Sequence, residues 1–148
     1  MIELPASILF VCSENALRSP IAEALTKYRF GTSVFVDSVG VRDGDLDPMA
    51  IAVMDEIGVD MSRHKSKRLK DLMDTSFEVI VTLSREAQHT SIDLARMTAS
   101  EVEYWPTPDP SVAEGHRDAH LAVYRDLRDY LLNRIEIRFG NPRVQSMD

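Results

Sequence analysis

The stretch Ile8-Leu9-Phe10-Val11-Cys12-Ser13-Glu14-Asn15-Ala16-Leu17-Arg18-Ser19-Pro20-Ile21-Ala22 decides how this chain folds. Four consecutive apolar residues, Ile8 to Val11, are what a strand buried on both faces of a parallel sheet requires. Pro20 suits the first turn of a helix, where its missing N–H costs little. Ile21, Ala22, Ala24, Leu25 and Tyr28 then recur on one side at helical spacing. Strand, short turn and helix follow one another directly, and the turn carries a cysteine, an asparagine, an arginine and a serine.

Cys12 stands at the carboxyl end of the strand and just before the amino end of the helix. Successive backbone N–H groups and the helix dipole favour an anion at such a place. The same field favours the thiolate, which is the nucleophilic form of a thiol. Arg18 offers a planar fork of donors that matches a tetrahedral oxyanion. Ser19 can donate its hydroxyl hydrogen to the thiolate. Asn15 tolerates left-handed backbone angles, as a loop needs when it curls its N–H groups inward. A lone cysteine at a strand end is more often an ordinary buried residue, and the cysteine–arginine spacing recurs by chance. The strand before it, the helix after it and the Ser-Pro pair favour a reactive thiol.

Working outward, the chain alternates strand and helix periodicities. Val34-Phe35-Val36 reads as a second strand between Gly31 and Gly40. Asp47-Pro48 reads as an N-cap with proline at the first helical position, and Gly58 as the stop. Residues Ser66 to Met73 read as a short basic helix. Val79-Ile80-Val81 is a third strand, and Ser84 caps a helix running to about Met97. Val102 to Trp105 is a fourth strand. A final helix covers about Glu114 to Phe139, with Leu121, Tyr124, Leu127, Leu131 and Ile135 facing inward. The alternation implies right-handed crossovers. The expected fold is α/β: one three-layer domain over residues 1–148, a four-stranded parallel sheet with helices on both faces. The tail after Gly140 is expected to fray. Ligands of such sheets bind beyond the carboxyl ends of the strands.

A second chemical feature follows the fourth strand, Trp105-Pro106-Thr107-Pro108-Asp109-Pro110. Prolines on both sides fix the backbone around one carboxylate. The loop should project from the same sheet edge as Cys12, where Asp109 could protonate a leaving oxygen and later activate water. The plainer alternative is a turn whose aspartate only bonds local backbone; the presence of Cys12 favours the catalytic reading.

Composition narrows the classes. The chain has 148 residues, 44% of them hydrophobic and 28% charged, which suits one soluble globular domain. No apolar run approaches the roughly 18 residues of a membrane span. Met1 to Phe10 has no basic region of the kind a signal peptide carries. A cytoplasmic protein with no membrane association is the expectation. The net charge of -7 argues against non-specific nucleic-acid binding. A single cysteine excludes an internal disulfide and a multi-thiolate zinc site. Asp43, Asp45 and Asp47 open like a calcium loop, but Pro48 stands where glycine is needed and Met54 where glutamate is. His116 and His120 lie four apart with no third ligand suggested, so no metal or other cofactor is expected. Arg63-His64-Lys65-Ser66-Lys67-Arg68 reads as a solvated charge run, and Trp105 as core or pocket wall. Tyr130 lies off the inward stripe of the last helix, available for a surface role.

Taken together, Val11-Cys12 through Arg18-Ser19-Pro20, Gly58-Val59-Asp60-Met61-Ser62-Arg63-His64-Lys65-Ser66 and Pro108-Asp109-Pro110 resemble the low-molecular-weight protein tyrosine phosphatases and the related arsenate reductases. The resemblance runs from Ile8 to about Phe139. It implies a two-step phosphoryl transfer with Cys12, Arg18 and Asp109 catalytic and no metal. Ser13, Glu14, Asn15, Ala16, Leu17 and Ser19 would hold the substrate oxyanion, with Asn15 fixing the loop and Ser19 helping the thiolate leave. It also implies that His64 packs near the loop in a structural role.

Departures from that family bear on the substrate. Glu14 stands where glycine is common, and Leu17 where many members carry a second cysteine. The loop Val41 to Asp47 has no aromatic residue, and Ser111 and Val112 replace the usual tyrosines. The Trp105–Pro110 stretch and the long last helix resemble the arsenate-reductase branch, but Ser84 stands where a resolving cysteine would be. Three readings follow. The first is a phosphomonoester hydrolase acting on a phosphorylated protein or small phosphomonoester through a cysteinyl phosphate. The second is a single-cysteine arsenate reductase partnered by a redoxin or low-molecular-weight thiol. The third is a weakly catalytic oxyanion-binding module.

Overall fold

The computed structural model describes residues 4–140. Four parallel strands, β1 (Ser7–Cys12), β2 (Phe35–Gly40), β3 (Val79–Thr82) and β4 (Glu101–Tyr104), lie in the order β2-β1-β3-β4. β1 is central, with Cys12 opposite Gly40 and Val11 opposite Thr82. The chain moves to one side of β1 for β2 and to the other for β3, so strand order reverses beside Cys12. That is where an open α/β sheet leaves a crevice.

The helices are α1 (Arg18–Phe30), α2 (Pro48–Asp55), α3 (Arg85–Thr98) and α4 (Arg117–Phe139). Ile8, Phe10, Val79 and Val81 pack with Ile21, Leu25, Met54, Leu131, Ile135 and Phe139, which places α1, α2 and α4 on one face. Leu9, Val11, Val39 and Ile80 pack with Leu69, Phe77 and Ala87, which places α3 on the other. Alternate residues of one strand thus feed two cores, as a period of two requires. All four residues from Ile8 to Val11 are fully buried, each contributing about 1.5–3 kcal/mol of burial free energy. Trp105 is core: its ring meets Phe10 edge-on at 6.0 Å and lies 5.9 Å from Phe139. Among the described residues no helix is long and apolar enough to cross a membrane.

The local signals for α2 and α3 act as expected. Asp47 accepts from the Met49 N–H at 2.9 Å and Ser84 from the Ala87 N–H at 3.1 Å. Three expectations are corrected. Ser66 to Met73 is not a helix; only a 3₁₀ turn, Leu69–Asp71, forms. The Gly40 N–H donates to the Lys67 carbonyl and Gly40 bridges Arg68 in parallel, so bonds to the end of β2 hold this segment extended. Tyr28 does not face the core: it is half exposed, and Phe30 takes the last buried position of α1. α4 starts at Arg117 rather than Glu114, because Gly115 adopts φ +117° just before the cap. The tail expected to fray after Gly140 lies outside the described residues.

Candidate active site

Cys12 ends β1 and is 2% exposed. The chain then curls back over it, with Asn15 at φ 52°, before α1 begins at Arg18. The curl points the Asn15 N–H at Cys12 Sγ, 3.2 Å away, and brings Ser19 Oγ to 2.8 Å from the same sulfur. Ser19 Oγ accepts from Asn15 Nδ2 at 2.8 Å, so its one hydrogen can go to the sulfur or, at 3.3 Å, to the Val39 carbonyl. When the sulfur is a thiolate, the shorter bond to the charged acceptor wins.

Asn15 is fully buried and organises this floor. Its Nδ2 also donates to Ser38 Oγ at 3.1 Å, and its Oδ1 accepts from Lys67 N at 3.0 Å and meets His64 Nε2 at 2.9 Å. An oxygen acceptor requires the hydrogen on Nε2, which leaves His64 Nδ1 facing Glu23 at 3.8 Å. Ser38 in turn donates to Glu23 at 2.6 Å. Burial holds the His64 imidazole below its ordinary value of 6.5, with Glu23 opposing the shift and Lys67 adding to it. Gly40 is required by crowding: a methyl there would stand 2.2 Å from the Arg42 carbonyl and 2.6 Å from Asn15 N.

Above the floor is a cavity of about 170 Å³. Cys12, Ser13, Glu14, Ala16, Leu17 and Arg18 line it together with Arg42, Asp109 and Ser111. The expected oxyanion loop and Asp109 therefore do meet in one pocket. Asn15 and Ser19 stand beneath it rather than in it. Arg18 Nη1 donates to the Thr107 carbonyl at 2.9 Å, tying the loop after β1 to the loop carrying Asp109. Asp109 Oδ1 accepts from Ser111 N at 2.9 Å and Ser111 Oγ at 2.6 Å, so the local-turn role and the pocket-facing role coexist. Both bonds end on Oδ1. A thiol with two donors, a guanidinium fork and a carboxylate across a small cavity can together bind a tetrahedral oxyanion and attack its central atom.

Several contributors were not readable from the sequence. Ser38, Glu23 and the Thr107 carbonyl reach the site only through the sheet and the loop packing. Asp47, expected only as a cap, also donates its N–H to the Ala16 carbonyl and accepts from Tyr124 Oη at 2.5 Å. Burial, and then that bond, raises the Tyr124 hydroxyl above its ordinary range. His116 is an exposed cap residue, and among the described residues no group of three or more His, Cys, Asp or Glu could hold a metal. Tyr130 donates to the Pro106 carbonyl at 3.1 Å. A larger groove, about 740 Å³, runs between α1 and residues 58–67 and does not include Cys12.

A family model described as low molecular weight phosphotyrosine protein phosphatase matches residues 7–131. An arsenate reductase of Halalkalibacterium halodurans is 33% identical over 131 residues, covering 87% of this chain and 91% of the relative. A solved arsenate reductase in its oxidized state superposes with a TM-score of 0.74 at 26% identity, over 90% of this chain and 96% of that one. The tyrosine phosphatase Wzb from Escherichia coli K30, solved with sulphate, gives 0.73 at 20% identity, over 93% of this chain and all (100%) of that one. The likeness to Wzb is one of fold.

Proposed function

The chain belongs to the low molecular weight phosphotyrosine protein phosphatase family, and from that premise we propose that it hydrolyses phosphomonoesters through a cysteinyl-phosphate intermediate. The observation that carries this reading is Cys12 Sγ with Asn15 N at 3.2 Å and Ser19 Oγ at 2.8 Å, in one pocket with Asp109. Cys12 attacks phosphorus while Arg18 and the loop N–H groups from Ser13 to Ser19 hold the equatorial oxygens. Asp109 gives a proton to the leaving oxygen, then takes one from the water that cleaves the S–P bond. Ser19 donates to the departing thiolate, and Asn15 keeps the loop curled. No step calls on a metal. The substrate is a phosphorylated protein or a small phosphomonoester, and the whole chain acts as one domain. A nucleophilic thiol must stay reduced, which suits the cytoplasm.

Arsenate reduction is the second reading, favoured by the arsenate reductase relatives. Reducing arsenate to arsenite oxidises two thiols to a disulfide, and this chain holds one cysteine. A redoxin or a low-molecular-weight thiol would have to supply the other. Turnover of p-nitrophenyl phosphate by the wild type, Cys12→Ser and Asp109→Asn separates the readings. Loss of all turnover in the first variant and a loss of about 10²–10⁴ in the second is expected. Thiol-dependent arsenite production with negligible phosphatase turnover would replace the first reading by the second. No Cys12-dependent turnover in either assay would leave an oxyanion-binding module.

A further inference from the structure

Beside the catalytic pocket lies a second cavity of about 320 Å³. Ser84 and Arg85, where β3 passes into α3, are part of its lining, with Tyr104 at the end of β4 and Pro106 and Pro108 from the loop that carries Asp109. Arg18 lines both cavities. Ser13 Oγ, in the first, donates to Ser84 Oγ, in the second, at 3.0 Å. The two spaces therefore adjoin across one guanidinium and one hydrogen bond.

Their charges differ. The catalytic pocket has Arg18 and Arg42 against Glu14 and Asp109. At its mouth Arg42 Nη1 donates to Glu86 Oε2 at 2.5 Å, and Arg42 Nη2 lies 3.9 Å from Glu14 Oε1. The second cavity has Arg18 and Arg85, and no carboxylate among the described residues that line it. Arg85 makes no ion pair among the described residues, and the carboxylate next to it in sequence, Glu86, is bonded to Arg42. Nor does Arg85 steady its helix, because a cation in the first turn of α3 opposes the macrodipole. In a chain of net charge -7, two guanidinium groups lining one carboxylate-free cavity make a local field for an anion. Ser84 Oγ accepts from Ser13 and from the Ala87 N–H, and its own hydrogen has no acceptor among the described residues. The Tyr104 hydroxyl also has no partner among the described residues.

Once a phosphoryl dianion sits over Cys12, Arg18 is engaged by it, and Arg85 is the cation left to the second cavity. Resting on the phosphatase reading above, we infer that this cavity is a subsite for a carboxylate of the substrate. The favoured substrate is a phosphorylated peptide with an acidic side chain beside the phosphorylated residue, and Arg85 is the residue that determines this specificity. An extended peptide advances about 3.3–3.6 Å per residue, so a neighbour of the phosphorylated residue falls within reach of a cavity that shares a wall with the pocket. Arg85 pairs with its carboxylate through the guanidinium fork, and the Ser84 hydroxyl supplies a further donor. Pro106 and Pro108 have no N–H to satisfy and give the peptide an apolar wall. No bond is made or broken in this subsite; it acts on binding.

Two phosphotyrosine peptides of one sequence, with aspartate or the isosteric asparagine on both sides of the phosphotyrosine, provide the test with the full chain. The quantity read is the ratio of kcat/KM, aspartate over asparagine; a peptide that is not turned over is read by its Ki against p-nitrophenyl phosphate. The ratio is taken within one protein, so any loss of folded enzyme cancels. It should be about five to ten in the wild type, carried by KM, and should fall to within about twofold of unity in Arg85→Gln. Arg85→Lys, which keeps the charge without the fork, should recover part of it. A wild-type ratio near or below unity, or a ratio unchanged in Arg85→Gln, overturns the inference. So does Cys12-dependent hydrolysis of p-nitrophenyl phosphate with which neither peptide competes. In each of these cases the phosphatase reading stands while Cys12-dependent turnover of a peptide or of p-nitrophenyl phosphate persists. No Cys12-dependent turnover of any of the three overturns both.

Discussion

The floor and the mouth of the pocket belong to the same loop but are held by unlike bonds. Beneath the thiol, Asn15, Ser19 and Ser38 are fully buried and joined by neutral hydrogen bonds of 2.8 and 3.1 Å. The charged groups of that layer are paired at its edge, Lys27 with Glu23 and Lys67 with Asp37. At the mouth, Glu14, Arg42 and Glu86 have side-chain exposures of 59%, 53% and 44% and meet through ion pairs. Buried neutral bonds are directional, and leaving one unmade is costly. Exposed ion pairs are worth roughly 0–1 kcal/mol and exchange partners readily. The floor is therefore built to fix atoms, and the mouth to let its charged groups exchange partners.

Asn15→Ala is the harshest test of that division. It strips partners from Ser19, Ser38, His64 and the Lys67 N–H, and it puts alanine at φ 52°. The expected loss is about 2–4 kcal/mol of stability by urea unfolding and at least about 100-fold in kcat/KM. A stable, active Asn15→Ala protein would mean that the floor does not position the thiol.

A gentler probe is acid. The folded state holds His64 below its unfolded value of 6.5, so the unfolded chain binds the proton first. The stability that His64 contributes is thus complete above pH 6.5 and declines as the pH falls towards the folded-state value. Urea unfolding between pH 7.5 and 5 should show this limb, and His64→Gln should flatten it. An identical acid limb in the variant would assign the effect elsewhere.

The smallest effect belongs to the mouth. Glu86→Gln removes the carboxylate that anchors Arg42, and stability should change by less than about 0.5 kcal/mol. A loss of several kcal/mol would show that the mouth, like the floor, is structural.

The layer structure was legible because its signals are local. Ile8 to Val11, Asp47-Pro48 and Ser84 each specify backbone by their own chemistry, and the Cys12–Arg18 spacing places thiol and guanidinium at the two ends of one loop. Asp109 could be placed because prolines mark its loop and the loop follows a strand. What failed, or went unseen, depends on distant partners. Ser66 to Met73 has helical composition, but the end of β2 captures its backbone. Arg42 and Glu86 are 44 residues apart, and Asp47 and Tyr124 are 77 apart. Ser38 looks like any small residue on a strand until the sheet sets it under Asn15. Bonds of that reach have no periodicity to announce them.

Gly40 carries a consequence for reading other sequences. It touches no ligand and bears no functional group, yet any side chain there would collide with the very amide that points at the sulfur. A chain with Cys12, Arg18 and Asp109 intact but alanine at 40 would pass every checklist of chemistry-bearing residues and still be unable to curl its loop over the sulfur in this way. In sorting active copies from relics, the missing methyl at 40 has as much diagnostic force as the thiol.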